Sequence, residues 1–245
     1  MGILQARGIS KAFGGLQAVD GVDFEVEPAE IVGIIGPNGS GKTTLCNCVM
    51  GLLRPDSGTV CFRGQDITGL PPYQISRLGL RKTFQLVHLF PNMTVFECLL
   101  LGQQETHLSG FSARLRPHSP DEVRIAMNML EFLGLQGVRD HLTDSLSYGQ
   151  QKLLEFGLAL VASPTVVILD EPVAGVNPTM AVHLRDRILE ARKRGTTFLI
   201  VEHEMAFVMG LCDRIVVLNQ GRKICEGTPD QIRRNEEVVE VYLGV

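Results

Sequence analysis

The run Gly36-Pro37-Asn38-Gly39-Ser40-Gly41-Lys42-Thr43 has the residue types and spacing of a phosphate cradle. It fits G-x-x-x-x-G-K-[ST], in which glycines let successive backbone N–H groups turn inward around a β-phosphate. Lys42 can reach the β- and γ-phosphates, and the Thr43 hydroxyl can ligate Mg²⁺. The flanks have the form this chemistry needs. Glu30–Ile35 reads as a short buried strand, and Thr44–Met50 as a helix with Gly51 as its C-cap. The helix N-terminus adds its partial positive charge to the loop. Gly36, Pro37, Asn38, Gly39, Ser40, Gly41, Lys42, Thr43 and Thr44 are therefore the candidate triphosphate-binding residues.

Two further stretches carry chemistry. Val166-Val167-Ile168-Leu169-Asp170-Glu171 is an apolar run ending in two carboxylates. In a parallel sheet the ligand lies beyond the carboxyl ends of the strands. Asp170 is then placed to hold Mg²⁺ beside Thr43, through water, and Glu171 to orient and polarise an attacking water. The competing reading is an acidic pair at a helix start. Ser147-Tyr148-Gly149-Gln150 is a capping box opening a helix over Gln151–Ala162. A helix N-terminus with a Ser hydroxyl and a Gly that permits close approach is also an anion site.

These residues need an α/β frame to position them. Residues 1–26 read as antiparallel β-structure around Leu4–Ile9 and Val22–Val26, and Thr59–Phe62 as a further strand. The middle of the chain, about 86–160, is helical in pattern. Ser119-Pro120-Asp121-Glu122 starts a helix whose apolar positions Val123, Ala126, Met127, Leu130, Leu133 and Leu135 recur at helical spacing. Thr106–Pro117 reads as an exposed connection. The α/β alternation returns with strands at Val166–Leu169 and Thr196–Val201, a helix over Met180–Arg194, and a short helix near Met205–Leu211. Arg214–Leu218 and Lys223–Cys225 flank a hairpin turn, and Thr228-Pro229-Asp230-Gln231 caps a last helix. Arg192-Lys193-Arg194 reads as a solvated helix end.

Composition narrows the class. The net charge of −4 and the lack of basic runs imply no general attraction to nucleic acid. The six cysteines form no C-x-x-C pair and no zinc-like spacing with His, which fits a reducing cytosol. The N-terminus lacks the pattern of a secretory signal, and no apolar stretch reaches the ~20 residues that span a bilayer.

Leu146-Ser147-Tyr148-Gly149-Gln150 resembles the Leu-Ser-Gly-Gly-Gln signature of the ATP-binding cassette (ABC) family, and the resemblance runs along nearly the whole chain. It implies an α/β fold: a P-loop NTPase core with a mixed sheet, an N-terminal antiparallel β-subdomain and an α-helical signature subdomain at about 86–160. Residues 1–245 then form one nucleotide-binding domain. By the same resemblance Phe13 stacks on adenine, Gln85 touches Mg²⁺ and the attacking water, and His203 contacts the γ-phosphate. Ala174-Gly175-Val176-Asn177-Pro178 takes the place of the D-loop. The cofactors implied are ATP and Mg²⁺. Cassettes of this type work as a head-to-tail dimer, in which Ser147, Tyr148, Gly149 and Gln150 of one subunit close on the phosphate loop of the other.

Tyr148 departs from the first signature Gly, Asn177 from the usual D-loop Asp, and Phe13 from the commoner Tyr. Together with Thr83-Phe84-Gln85 and the ending Gly227-Thr228-Pro229 … Tyr242-Leu243-Gly244, these features are similar to the ATPase subunits of bacterial branched-chain amino acid importers. The implied partners are a second ATPase subunit, permease subunits met through the region after Gln85, and, indirectly, a periplasmic binding protein. The implied location is the cytoplasmic face of the inner membrane. Urea and short-chain amide importers share much of the pattern, and lipid or lipopolysaccharide export would use the same engine. A cytosolic cassette of translation or DNA repair fits poorly, since sustained heptads and a basic patch are absent. A regulator without turnover fits poorly because the hydrolytic residues are all in place.

Overall fold

The computed structural model describes residues 2–83, 89–103 and 118–243. Gln85 and all of Thr106–Pro117 lie outside the described residues. Ten strands and nine α-helices are found among the described residues.

Chain segments rich in β-branched residues form the centre. Strands β3 (Ile31–Ile35), β7 (Val166–Asp170) and β8 (Thr197–Val201) are buried at every position. This is the pattern of strands covered on both faces. They lie in a six-stranded sheet of order β10-β9-β3-β8-β7-β6, with β6 at Leu80–Lys82, β9 at Arg214–Asn219 and β10 at Arg222–Gly227. All neighbours are parallel except the β9–β10 hairpin, so the sheet is mixed. Successive side chains on a strand point to opposite faces. Val32, Ile34, Ile168, Leu199 and Val216 therefore join one core, and Ile31, Ile35, Val167, Phe198 and Val217 the other.

A second, antiparallel sheet has the order β2-β1-β4-β5, with β1 at Leu4–Phe13, β2 at Leu16–Val26, β4 at Ser57–Phe62 and β5 at Gln65–Asp66. The first two strands run further than the sequence pattern suggests. They meet at a Gly14-Gly15 turn where Phe13 pairs with Leu16, which carries Phe13 out to the hairpin tip. Helix α1 (Lys42–Val49) lies between the sheets and buries Leu45, Cys46, Cys48 and Val49 in the core they share.

Helices α3 (Val95–Gly102), α4 (Pro120–Leu133) and α5 (Tyr148–Leu160) pack on one another within the helical stretch read from the sequence. Each opens with a complete capping box: Thr94 with Glu97, Ser119 with Glu122, and Ser147 with Gln150. The apolar stripe of α4 is narrower than its composition suggests. Ala126, Leu130 and Leu133 are buried, while Val123 and Met127 are exposed, because only one face of α4 meets α3 and α5.

Helix α2 (Pro72–Arg77) and strand β6 carry weak sequence signals and emerge only in the structure, and so does the terminal helix α9 (Glu236–Leu243). Helices α6 (Pro178–Lys193), α7 (Met205–Met209) and α8 (Pro229–Arg233) follow the sequence reading closely. Arg192 is more than a solvated helix end, since its guanidinium donates to the Ala29 carbonyl at 2.8 Å and pairs with Asp213 at 3.0 Å. The six cysteines are free, four of them buried. No helix is long and apolar enough to cross a membrane, among the described residues.

Candidate functional site

Strand register brings the chemistry to one edge of the sheet. Ile34 of β3 lies beside Val201 of β8, and Val201 lies beside Asp170 of β7. The residues that leave these strands are therefore neighbours: Gly36 and the phosphate loop, the pair Asp170-Glu171, and Glu202-His203. A cleft of about 650 Å³ opens over the loop. It is lined by Asn38 to Thr44 and Glu171 on one side, and by Phe13, Leu16, Gln17, Ala18 and Gln220 on the other.

Local sterics explain the loop's glycines. A Cβ on Gly36 would stand 2.2 Å from the Leu218 carbonyl oxygen. One on Gly41, whose φ is +99°, would stand 2.2 Å from that of Ala18. Real Cβ atoms do not come so close, so the β1–β2 and β9–β10 hairpins can press on the loop only where it has no side chains. The β9–β10 turn also ties to the loop directly, Gly221 N–H donating to the Ser40 carbonyl at 3.0 Å.

Lys42 is buried and folds back along the loop, donating to the Gly36 and Pro37 carbonyls at 2.8 and 3.0 Å. Burial lowers its pKa, and the carboxylates of Glu171, Asp170 and Glu202 oppose that shift. A triphosphate offers the ammonium stronger, charged acceptors than two carbonyls. Ser40 Oγ is buried without a hydrogen-bond partner, a polar atom poised for a ligand.

Asp170 is 1 % exposed. Its Oδ2 accepts a 2.7 Å bond from Lys82, while Oδ1 is buried with no hydrogen-bond partner. An orphaned carboxylate oxygen at a strand end suits a hard cation. Among the described residues no three metal-ligating side chains converge, so an all-protein cage is not formed. Mg²⁺ is ordinarily held by one or two protein oxygens plus substrate phosphates, and Asp170 and Thr43 are the residues that would supply those oxygens.

Glu171 adopts a left-handed backbone at φ +49°, a conformation costing a non-glycine residue about 1–2 kcal/mol. Its N–H donates to the Val201 carbonyl at 2.9 Å, which holds the turn. The carboxylate thereby faces the cleft and lies 3.8 Å from His203 Nδ1. Such a pair can polarise a water and meet a terminal phosphate. Next to His203, Glu202 is fully buried. Burial raises its pKa, against the pull of three backbone N–H donors.

Ser147, Tyr148, Gly149 and Gln150 do not line this cleft. They open α5, with Ser147 exposed and the Tyr148 ring packed on Gly175, where an added Cβ would stand 3.3 Å from Tyr148 Cε1. Asn177 caps α6, its Oδ1 accepting from Met180 N–H at 2.9 Å, a task Asp performs equally well. Sequence reasoning missed Gln17, Ala18 and Gln220 as cleft residues, and Lys82 and Glu202 as buried partners. A charged residue directly after the apolar run of β8 was the available signal for Glu202, whereas the Leu-Arg-Lys of β6 gives none for Lys82.

Comparison with known proteins gives the family. The ABC transporter family model matches residues 19–174. The model described as branched-chain amino acid ATP-binding cassette transporter matches residues 222–245. The high-affinity branched-chain amino acid transport ATP-binding protein LivG of Escherichia coli K12 is 43 % identical over 249 aligned residues, spanning 99 % of this chain and 98 % of that protein. A probable LivG of Archaeoglobus fulgidus is 44 % identical, spanning 100 % and 96 %. A crystal structure of the ADP conformation of an ATP-binding cassette of an ABC transporter superposes with a TM-score of 0.90 at 38 % identity, covering all of both chains.

Proposed function

This chain belongs to the ABC transporter family of ATP-binding cassettes, and on that premise we propose that it hydrolyses ATP to power the import of branched-chain amino acids. The observation that carries the hydrolytic part is the meeting of the phosphate loop, Asp170-Glu171 and His203 at one sheet edge. The solute class rests on the named relatives and on the match over residues 222–245.

In this reading residues 1–245 act as one nucleotide-binding domain. The N–H groups of Gly39 to Thr44 surround the β-phosphate, and Lys42 leaves its carbonyl partners for the β- and γ-phosphates. Thr43 and Asp170, with Gln85, would hold Mg²⁺, which would neutralise charge on the phosphate oxygens. Glu171 takes a proton from the attacking water, and His203 meets the γ-phosphate. Phe13 stacks on the adenine. Ser147–Gln150 serve the cleft of a second ATPase subunit, arranged head-to-tail, which accounts for their distance from their own cleft. The region after Gln85 meets permease subunits at the cytoplasmic face of the inner membrane, and a periplasmic binding protein delivers the solute.

Phe13 is 45 % exposed at the cleft rim, with the Lys11 ammonium 5.8 Å from its ring centre. Base stacking on an aromatic contributes about 1–3 kcal/mol, so Phe13→Ala should raise the ATP Kd by roughly 5- to 150-fold. Turnover at saturating ATP should change little. An unaltered Kd in a nucleotide titration would remove Phe13 from the adenine site.

The function itself is tested by reconstituting the chain with its permease and binding protein in vesicles. ATP-dependent uptake of leucine, isoleucine or valine is expected. Uptake of urea or short amides with none of these three would reassign the solute.

A further inference from the structure

Glu202 is a fully buried carboxylate in the heart of the cleft edge, and the hydrolytic steps above give it no task. Its oxygens are shared between two loops. Oε1 accepts from the backbone N–H of Val173 at 3.0 Å, in the loop that follows β7 and begins with Glu171. Oε2 accepts from the N–H groups of His203 at 3.0 Å and Glu204 at 3.3 Å, in the loop that follows β8. Its own N–H donates to Ile34 O at 3.2 Å, on the strand that leads into the phosphate loop. Three strand ends thus converge on one residue, two of them through its side chain.

We propose that Glu202 is a positioning residue that clamps the Glu171 loop to the His203 loop, fixing the separation of base and imidazole. The proposal rests on the hydrolytic roles assigned to Glu171 and His203. Charge-assisted bonds to backbone N–H groups are about twice as strong as neutral ones, and a carboxylate has acceptors for both loops at once. A carboxamide of the same shape has one acceptor oxygen, and its NH₂ group would face an N–H. Glu202→Gln therefore frees one loop from the other without opening a cavity. The three clamp donors are backbone N–H groups, and Oε2 also stands 3.8 Å from His203 Nδ1, so the substitution leaves the Glu171 side chain untouched and changes one neighbour of the imidazole.

The test uses the full chain assembled with its permease subunits, comparing wild type, Glu202→Gln, Glu202→Asp, Glu171→Gln and the Glu171→Gln/Glu202→Gln double variant. Misplacing a reacting group by about 1 Å can slow an enzyme on the order of 100-fold, so Glu202→Gln should lower kcat by roughly 10- to 100-fold. Its ATP Kd should stay within about twofold, because neither loop carries the phosphate cradle. The double variant should be no slower than Glu171→Gln alone, since a misplaced base costs nothing once the base is gone. Amide hydrogen exchange should quicken in residues 171–176 or 203–205 of the folded Glu202→Gln protein, and Glu202→Asp, which keeps both oxygens, should recover part of the rate. Unchanged exchange in both loops, a kcat within twofold of wild type, or a loss that multiplies with that of Glu171→Gln would each overturn the proposal. Full activity of Glu171→Gln would instead overturn the assignment of the base, and exchange in the two loops would still decide whether the clamp exists. Should Glu202→Gln not fold, the same exchange and rate readings on Glu202→Asp decide.

Discussion

Glu171→Gln is expected to lower kcat for ATP hydrolysis by about 10²- to 10⁴-fold, the usual contribution of a positioned general base. The substitution keeps the volume and the number of heavy atoms, but a carboxamide cannot accept a proton from water. The backbone bond to Val201 does not depend on the side chain, so the turn at φ +49° is retained. ATP binding should persist, because the cradle is made by the loop and Lys42. It should even tighten slightly, since the carboxylate that repels the triphosphate is removed. Bound ATP that is not cleaved should then hold two subunits together. Phosphate release, measured with the permease present, and the oligomeric state in ATP read the two effects. Turnover within about fivefold of wild type would take Glu171 out of the base role.

Lys82→Met should have the largest effect on stability. The Lys82–Asp170 pair is 2.7 Å long, with side chains 3 % and 1 % exposed. Removing one partner of a buried pair leaves an uncompensated charge, at a cost of about 3–5 kcal/mol. Domains of this size are stable by only about 5–15 kcal/mol, so the loss should be plain in urea unfolding. Asp170 already has one oxygen without a hydrogen-bond partner, and the Lys42 ammonium, which feels its charge, can offset only part of the loss. Adding Asp170→Asn to Lys82→Met should restore much of the stability while abolishing turnover. Mg²⁺ with ATP should stabilise Lys82→Met more than wild type, by returning a cation to Asp170. A cost below about 1 kcal/mol for Lys82→Met would mean that the pair contributes no compensation that Asp170 needs.

Much of this was legible in the residues. The phosphate loop announces itself because its chemistry is carried by consecutive backbone groups, and glycines at fixed positions are the requirement for that. Val166–Asp170 and Thr197–Val201 read as buried strands because both their faces are covered. The capping boxes at Ser119, Ser147 and Thr228 are local bonds across three residues, and all three are present. By contrast α2 and β6 follow a Gly-Leu-Pro-Pro stretch whose turn chemistry masks what comes next, and β6 is only three residues long.

By itself the sequence determined which segments could hold a triphosphate, where two carboxylates end a strand, and that a histidine ends another. Which of these meet was decided by the order β3-β8-β7-β6, which is not the order of the chain. That order sets Lys82 against Asp170 across 88 residues and lets Glu202 reach Val173 across 29. It also leaves Ser147–Gln150 away from their own cleft. A periodic pattern records the environment a residue needs, apolar or wet, over a few neighbours. The partner of a buried charge is chosen by strand adjacency, which many residues settle together and no short stretch of sequence can state.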